Sequence, residues 1–175
     1  MSGVIRLVRA DADLLDAAIA GDRALASALG HEVVSGWATF RDALPRARGA
    51  LAGQPGDTPW GPRLFVSGEP PELVGWGGFK GPPRDGVVEL GYEVAESRRG
   101  QGLATAAVRA MVAEAFADDR VDAVIAHTLP ERNASGRVLE KVGFRFDREA
   151  REAGAVVWRF RLARRPTPDT AGAGR

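Results

Sequence analysis

A chain of 175 residues that is 45% hydrophobic and 27% charged has the size and make-up of one soluble globular domain around one core. Its formal net charge of +1 leaves no global field to gather nucleic acid or anionic lipid, so neither is an expected partner. Cysteine is absent, which excludes disulfides, thiolate metal sites and thiol nucleophiles and agrees with a reducing cytoplasm.

In chain order, Val4, Ile5, Leu7 and Val8, interspersed with Arg6 and Arg9, read as a first strand and not as a signal peptide. Asp11 or Asp13 can cap a helix carrying Leu14, Leu15, Ala18 and Ile19, which Gly21 and Asp22 break and restart. A second helical stretch holds Leu25 and Leu29 and stops at Gly30. Trp37, Phe40 and Leu44 fall at helical spacing, so a third helix is predicted before Pro45 disturbs it. Residues 53–61, with Pro55 and Pro59, read as a loop.

Strand patterns take over in residues 64–66, 73–79 and 87–95, separated by Gly/Pro-rich turns that favour antiparallel neighbours. A long helix is predicted over 102–116, with Ala104, Val108, Met111, Val112 and Ala115 on one side. Residues 121–127 return as a strand, and 133–142 form a short helix ended by Gly143. Residues 144–147 and 156–162 are a closing pair of strands. No stretch approaches the roughly 18 apolar residues of a membrane span, so a cytoplasmic protein is expected. The fold class is therefore α/β of the α+β kind: a mixed, mostly antiparallel central sheet flanked by helices, with a helical region at the N-terminus. One domain is expected over 1–163, followed by a disordered tail over 164–175.

The informative stretch runs from Glu89 to Thr105, where a strand passes into a loop with Gly100 and Gly102 and a helix begins at once. Glycines let the backbone turn tightly and let a ligand approach the amide groups. The first N–H groups of a helix have no internal partner, and the helix dipole adds positive charge there. Together they suit a pyrophosphate, to which Arg98 and Arg99 can add charge-assisted contacts. The Gly-Lys-Ser/Thr ending of a P-loop is absent, and a dinucleotide fingerprint wants Gly or Ala where Thr105 stands. On this loop alone, an ordinary glycine turn before a helix is an equal alternative.

Its surroundings weigh against that alternative. Arg99-Gly-Gln-Gly-Leu-Ala104 resembles the coenzyme A pyrophosphate loop of the GCN5-related N-acetyltransferase (GNAT) family, whose pattern is Arg/Gln-x-x-Gly-x-Gly/Ala. The resemblance takes in Glu89-Leu-Gly-Tyr92, Ala126-His-Thr-Leu-Pro130 and Asn133-Ala-Ser-Gly-Arg-Val-Leu-Glu-Lys-Val-Gly-Phe144, in order and at family-like spacing. The last segment is similar to the branch that includes ribosomal-protein N-terminal acetyltransferases. The resemblance implies transfer of acetyl from acetyl-CoA to a primary amine, by direct attack in a ternary complex. It implies that Val94 and Ala95 offer backbone groups to the pantetheine arm, and that Gly100, Gly102, Leu103 and Ala104 hold the pyrophosphate beside Arg99. Asn133 then caps the following helix or reaches coenzyme A.

Strand periodicity puts Val88, Leu90, Tyr92 and Val94 on one face and Glu89, Gly91 and Glu93 on the other, which is expected to border the substrate cleft. Glu89 can take a proton from the incoming ammonium, directly or through water, or it is a partly solvated strand residue; Glu93 is read as the latter. Many family members carry a tyrosine where this chain has Leu139, so the usual proton donor to the thiolate is missing. The resemblance offers Ser135 in its place, with helix capping as the competing role. Neither His31 nor His127 has a partner at metal-ligand spacing, so no metal site is expected. The acceptor is an amine on a protein N-terminus or a small molecule, with the N-terminal helices and the 53–61 loop walling its cleft. A non-catalytic acyl-CoA-binding domain that senses the cofactor or engages a partner is the alternative. Monomer and homodimer both stay open.

Overall fold

The computed structural model describes residues 4–53 and 58–165, which form eight strands and five helices. β1 (Ile5–Arg9) leads into α1 (Ala12–Ala20), and Asp11 decides where the helix starts. Its carboxylate accepts the Leu14 N–H at 2.9 Å, the bond of an N-cap side chain. Asp13 sits in the first turn, where a negative charge suits the helix dipole. α2 (Asp22–Leu29) follows Gly21 and ends on Gly30 in the left-handed conformation.

The third helix departs from the sequence reading. Residues 37–40 form bends and irregular backbone, and α3 (Ala43–Ala52) begins just before Pro45. A proline in the first turn gives up an N–H that would have no helical partner anyway, so Pro45 starts this helix where it was expected to end one. Trp37 is buried for a different reason: its indole N–H donates to Asp22 at 2.9 Å, and its ring meets Trp76 edge-on.

β3 (Pro62–Ser67), β4 (Glu72–Phe79) and β5 (Val87–Val94) form an antiparallel meander, with β1 outside β3. The two-residue β2 (Glu32–Val33) adds to β4 in parallel. After a 3-10 turn at Glu96–Arg98, α4 (Leu103–Phe116) crosses back, so β6 (Ala123–Thr128) joins β5 in parallel. α5 (Ala134–Val142) ends at left-handed Gly143. The hairpin of β7 (Arg145–Glu152) and β8 (Ala155–Ala163) then completes the order β1-β3-β4-β5-β6-β8-β7. β7 runs well past the four residues that its apolar pattern marked. It is an edge strand that carries Arg148, Glu149, Arg151 and Glu152 to solvent, so no buried face imposes alternation on it.

Both faces of the sheet are covered. On one, Leu103, Ala107, Val108, Met111 and Ala115 of α4 pack against Val88, Leu90 and Val94 of β5, with Leu139 of α5 beside them. Ala104 and Val112 only flank that stripe. On the other, Leu15, Ala18, Leu25, Trp37 and Leu44 pack on Leu64, Val66, Leu73 and Trp76. No helix among the described residues is long and apolar enough to cross a membrane. Of the tail expected from 164, residues 166–175 lie outside the described residues, while Arg164 donates to the carbonyls of Phe116, Asp118 and Val121.

Candidate active site

β5 and β6 pair only at Val87, Val88 and Glu89, against Ala123, Val124 and Ile125. Both strands continue beyond that point without pairing, so the sheet opens into a gap between its halves. The Lys80 N–H bonds the Glu89 carbonyl and the Ala95 N–H bonds the Val74 carbonyl, which spends the odd-numbered backbone groups of β5 on β4. By the alternation of an antiparallel ladder, Leu90, Tyr92 and Val94 turn theirs the other way; the Leu90 N–H closes the last rung to β6, and Tyr92 and Val94 face the gap. Val94 therefore has a backbone edge for a ligand arm. Ala95 gives its N–H to Val74, and one lone pair of its carbonyl accepts from the Arg98 N–H, which leaves the second for a ligand.

Gly100 and Gly102 have φ of 76° and 78°, a region where any Cβ strains the backbone. Gly102 is the N-cap of α4 and supplies no side-chain bond to the first turn. The N–H groups of Leu103, Ala104 and Thr105 are thus left without helical partners at the positive end of the dipole. Arg98 is committed to Glu72 at 2.7 Å, whereas the Arg99 guanidinium makes only a 3.4 Å contact with the Val94 carbonyl among the described residues. Of the two arginines expected at a phosphate, Arg99 is the one left for it.

At the start of α5, Asn133 Oδ1 accepts the Gly136 N–H at 2.9 Å, so Asn133 is the cap and Ser135 is not. The Ser135 hydroxyl has no hydrogen-bond partner among the described residues. Its carbonyl accepts the Tyr92 hydroxyl at 3.0 Å, a tie from β5 to α5. Burial pushes the Tyr92 phenol above its ordinary value, which keeps it a donor at neutral pH. Leu139 is fully buried in the core and brings no hydroxyl.

Glu89 lies on the opposite face from α4 and is partly exposed. Its Oε1 is 2.9 Å from His127 Nδ1 and 2.5 Å from Lys80 Nζ, and Lys80 also bonds Glu152. Linear spacing gave His127 no partner; neighbouring strands bring one, since Glu89 and His127 share a sheet face. Glu89, His127 and Glu152 hold ligand-type atoms within 4.8 Å of one another, and the Lys80 ammonium, bonded to both carboxylates, supplies a cation there. Burial works against the charge on Lys80, but its bonds to Glu152 and Glu89 outweigh burial and raise its pKa. The bond from Lys80 in turn lowers the Glu152 carboxyl. His127 Nε2 is buried and has no partner among the described residues.

A cleft of about 580 Å³ opens on the same face. Phe40, Ala47 and Leu51 wall it from the N-terminal region, Trp60 and Gly61 from the 53–61 loop, and Gly91, Glu93 and Lys80 from the sheet. Glu93 accepts the Trp76 indole N–H at 2.6 Å and the Thr39 N–H at 2.8 Å, which makes it a brace between sheet and helical region. An added Cβ at Gly77 or Gly78 would lie 2.4 Å or 2.5 Å from a carbonyl oxygen, so close packing demands those glycines. At Gly91 an added Cβ meets nothing within 4 Å. A larger opening of about 810 Å³ lies between the C-terminal ends of α4 and α5 and the last hairpin, away from this cluster.

Residues 4–145 match the family described as the acetyltransferase (GNAT) domain. The chain is 29% identical over 151 residues to the uncharacterized N-acetyltransferase YjdG of Bacillus subtilis (strain 168), covering 85% of this chain and 90% of that one. Its fold is similar to a putative GNAT-family acetyltransferase from Bordetella pertussis, with a TM-score of 0.64, 22% identity and coverage of 91% and 95%. Mycobacterium smegmatis RimJ in complex with CoA-disulfide is similar at a TM-score of 0.63, 22% identity and coverage of 92% and 82%. AAC(6')-Ib in complex with paromomycin and acetyl-CoA is similar at 0.64, 20% identity and coverage of 99% and 100%. A match that runs from the first strand through the glycine loop to the end of α5 shows that this chain belongs to the GNAT acetyltransferase family.

Proposed function

We propose that this chain binds acetyl-CoA and transfers its acetyl group to a primary amine by direct attack in a ternary complex. The observation that carries the reading is the uncapped start of α4, set behind two left-handed glycines beside the split in the sheet. The Leu103 and Ala104 N–H groups and Arg99 hold the pyrophosphate, while Gly100 and Gly102 let it approach the backbone. The pantetheine arm runs along Tyr92 and Val94 in the gap and reaches Ala95 through its carbonyl. Glu89 accepts the proton of the ammonium, directly or through a water; an α-amine, with a reference pKa of roughly 8, needs only a modest base. The nitrogen attacks the thioester carbonyl, the C–N bond forms as the C–S bond breaks, and the second proton lost by the nitrogen ends on the departing sulfur, which the Ser135 hydroxyl hydrogen-bonds. Asn133 serves this step by capping α5, which leaves the Ser135 hydroxyl uncommitted. The acceptor is a protein N-terminus or a small-molecule amine held in the 580 Å³ cleft.

Calorimetric titration of acetyl-CoA into the wild type and into Thr105→Glu tests this. Glutamate in the first turn favours the helix, so the variant keeps its fold. Its charge beside a bound pyrophosphate weakens binding by at least about tenfold. Micromolar binding by the wild type is expected, and none at all would overturn the reading. Binding without acetylation of any amine in a panel would favour a non-catalytic acyl-CoA-binding domain, a role that suits Leu139 in place of the family's tyrosine.

A further inference from the structure

A base takes a proton from a group within about 3 Å of it or through one water, and Lys80 Nζ is in direct reach, 2.5 Å from Glu89 Oε1. Lys80 follows β4 directly, and its N–H bonds the Glu89 carbonyl at 2.9 Å. Its arm therefore starts beside Glu89, where the β5/β6 ladder ends. The side chain is 47% exposed and lines the cleft together with Gly91 and Glu152. An external amine cannot occupy that contact while Lys80 does. The other lysine in the sequence, Lys141, stands in the last turn of α5, a helix packed on the opposite sheet face from Glu89.

Building on the transferase reading above, we propose that Lys80 is itself an acetylation site, modified by acetyl-CoA bound in the gap when no acceptor fills the cleft. The Nζ lone pair attacks the thioester carbonyl carbon; the C–N bond forms and the C–S bond breaks. Of the two protons lost from the ammonium, one leaves through Glu89 to solvent and the other ends on the coenzyme A sulfur. The product amide is neutral, so Glu89 and Glu152 are released from the cation they share. The charged and titratable groups facing Nζ are those two carboxylates, with His127 on their far side. Because the carboxylates hold Nζ protonated, the reactive neutral fraction and the rate rise about tenfold per pH unit above neutrality.

The test is incubation of the full chain with acetyl-CoA alone, followed by intact-mass measurement and peptide mapping. One acetyl group per chain is expected, at Lys80, formed at a rate independent of protein concentration. Lys80→Arg abolishes it and Glu89→Gln slows it by at least about tenfold, while calorimetry shows that both variants bind acetyl-CoA. An unmodified Lys80 in a chain that binds acetyl-CoA overturns the proposal and leaves the transferase reading intact. An unchanged rate in Glu89→Gln, or Lys141 modified as fast as Lys80, overturns it likewise, since either marks uncatalysed chemistry. Failure to bind acetyl-CoA at all overturns both.

Discussion

Position 91 holds a glycine that neither sterics nor backbone conformation requires: an added Cβ meets nothing within 4 Å, and its φ is not in the left-handed region. Glycine in a strand costs about 0.5–1 kcal/mol relative to alanine, so something other than the fold keeps it, and an approaching ligand is a recognised reason. Gly91→Leu should therefore keep its thermal stability and its acetyl-CoA affinity within about threefold, while the KM for the acceptor amine rises by at least about tenfold. Steady-state kinetics with an amine from the acetylation panel reads this, and an unchanged KM would show that the acceptor lies elsewhere. Single residues were legible in the sequence where their partners are local. Gly100, Gly102 and the Asn133 cap answer to neighbours within a few positions. Lys80 and Glu152 were not: Lys80 meets Glu89 through the register of β4 on β5, and Glu152 meets Lys80 only through the registers of β5, β6, β8 and β7.

Elements were legible to the extent that they bury a face. α4 announced itself through a stripe packed on β5, whereas β7 is an edge with nothing to bury, and Pro45 reads as a stop until the helix start is known. The short α5 is held at its first turn by two different bonds, and they separate its stability from its role. Asn133→Ala removes the cap and should cost about 1 kcal/mol of stability; it also frees the first turn to draw Ser135 into capping, so turnover falls as well. Tyr92→Phe removes the bond to the Ser135 carbonyl and should cost about 1 kcal/mol with the cap intact. Urea unfolding and kcat measured on both variants check this. Equal losses of kcat would mean that the cap has no part in placing the serine.

At the scale of the molecule, the sheet is two blocks, β1-β3-β4-β5 and β6-β8-β7, joined by three residue pairs and by the helices packed over them. A ligand seated in the gap contacts both blocks, so its binding free energy is felt by the whole fold. At about one hundred times its Kd, acetyl-CoA should stabilise the chain by about 2.7 kcal/mol and raise Tm accordingly. The more specific consequence lies along the open edge of β5. The amides of Tyr92 and Val94 have no partner strand there, and exchange with solvent faster than those of β3, which is paired on both sides. Acetyl-CoA should slow exchange at the open edge and at the Leu103 to Thr105 amides more than global stabilisation alone accounts for. Hydrogen exchange resolved to single amides distinguishes the two effects. Uniform protection across all strands would mean that the ligand stabilises the fold from another site, and the split in the sheet would lose its claim to be the place where acetyl-CoA binds.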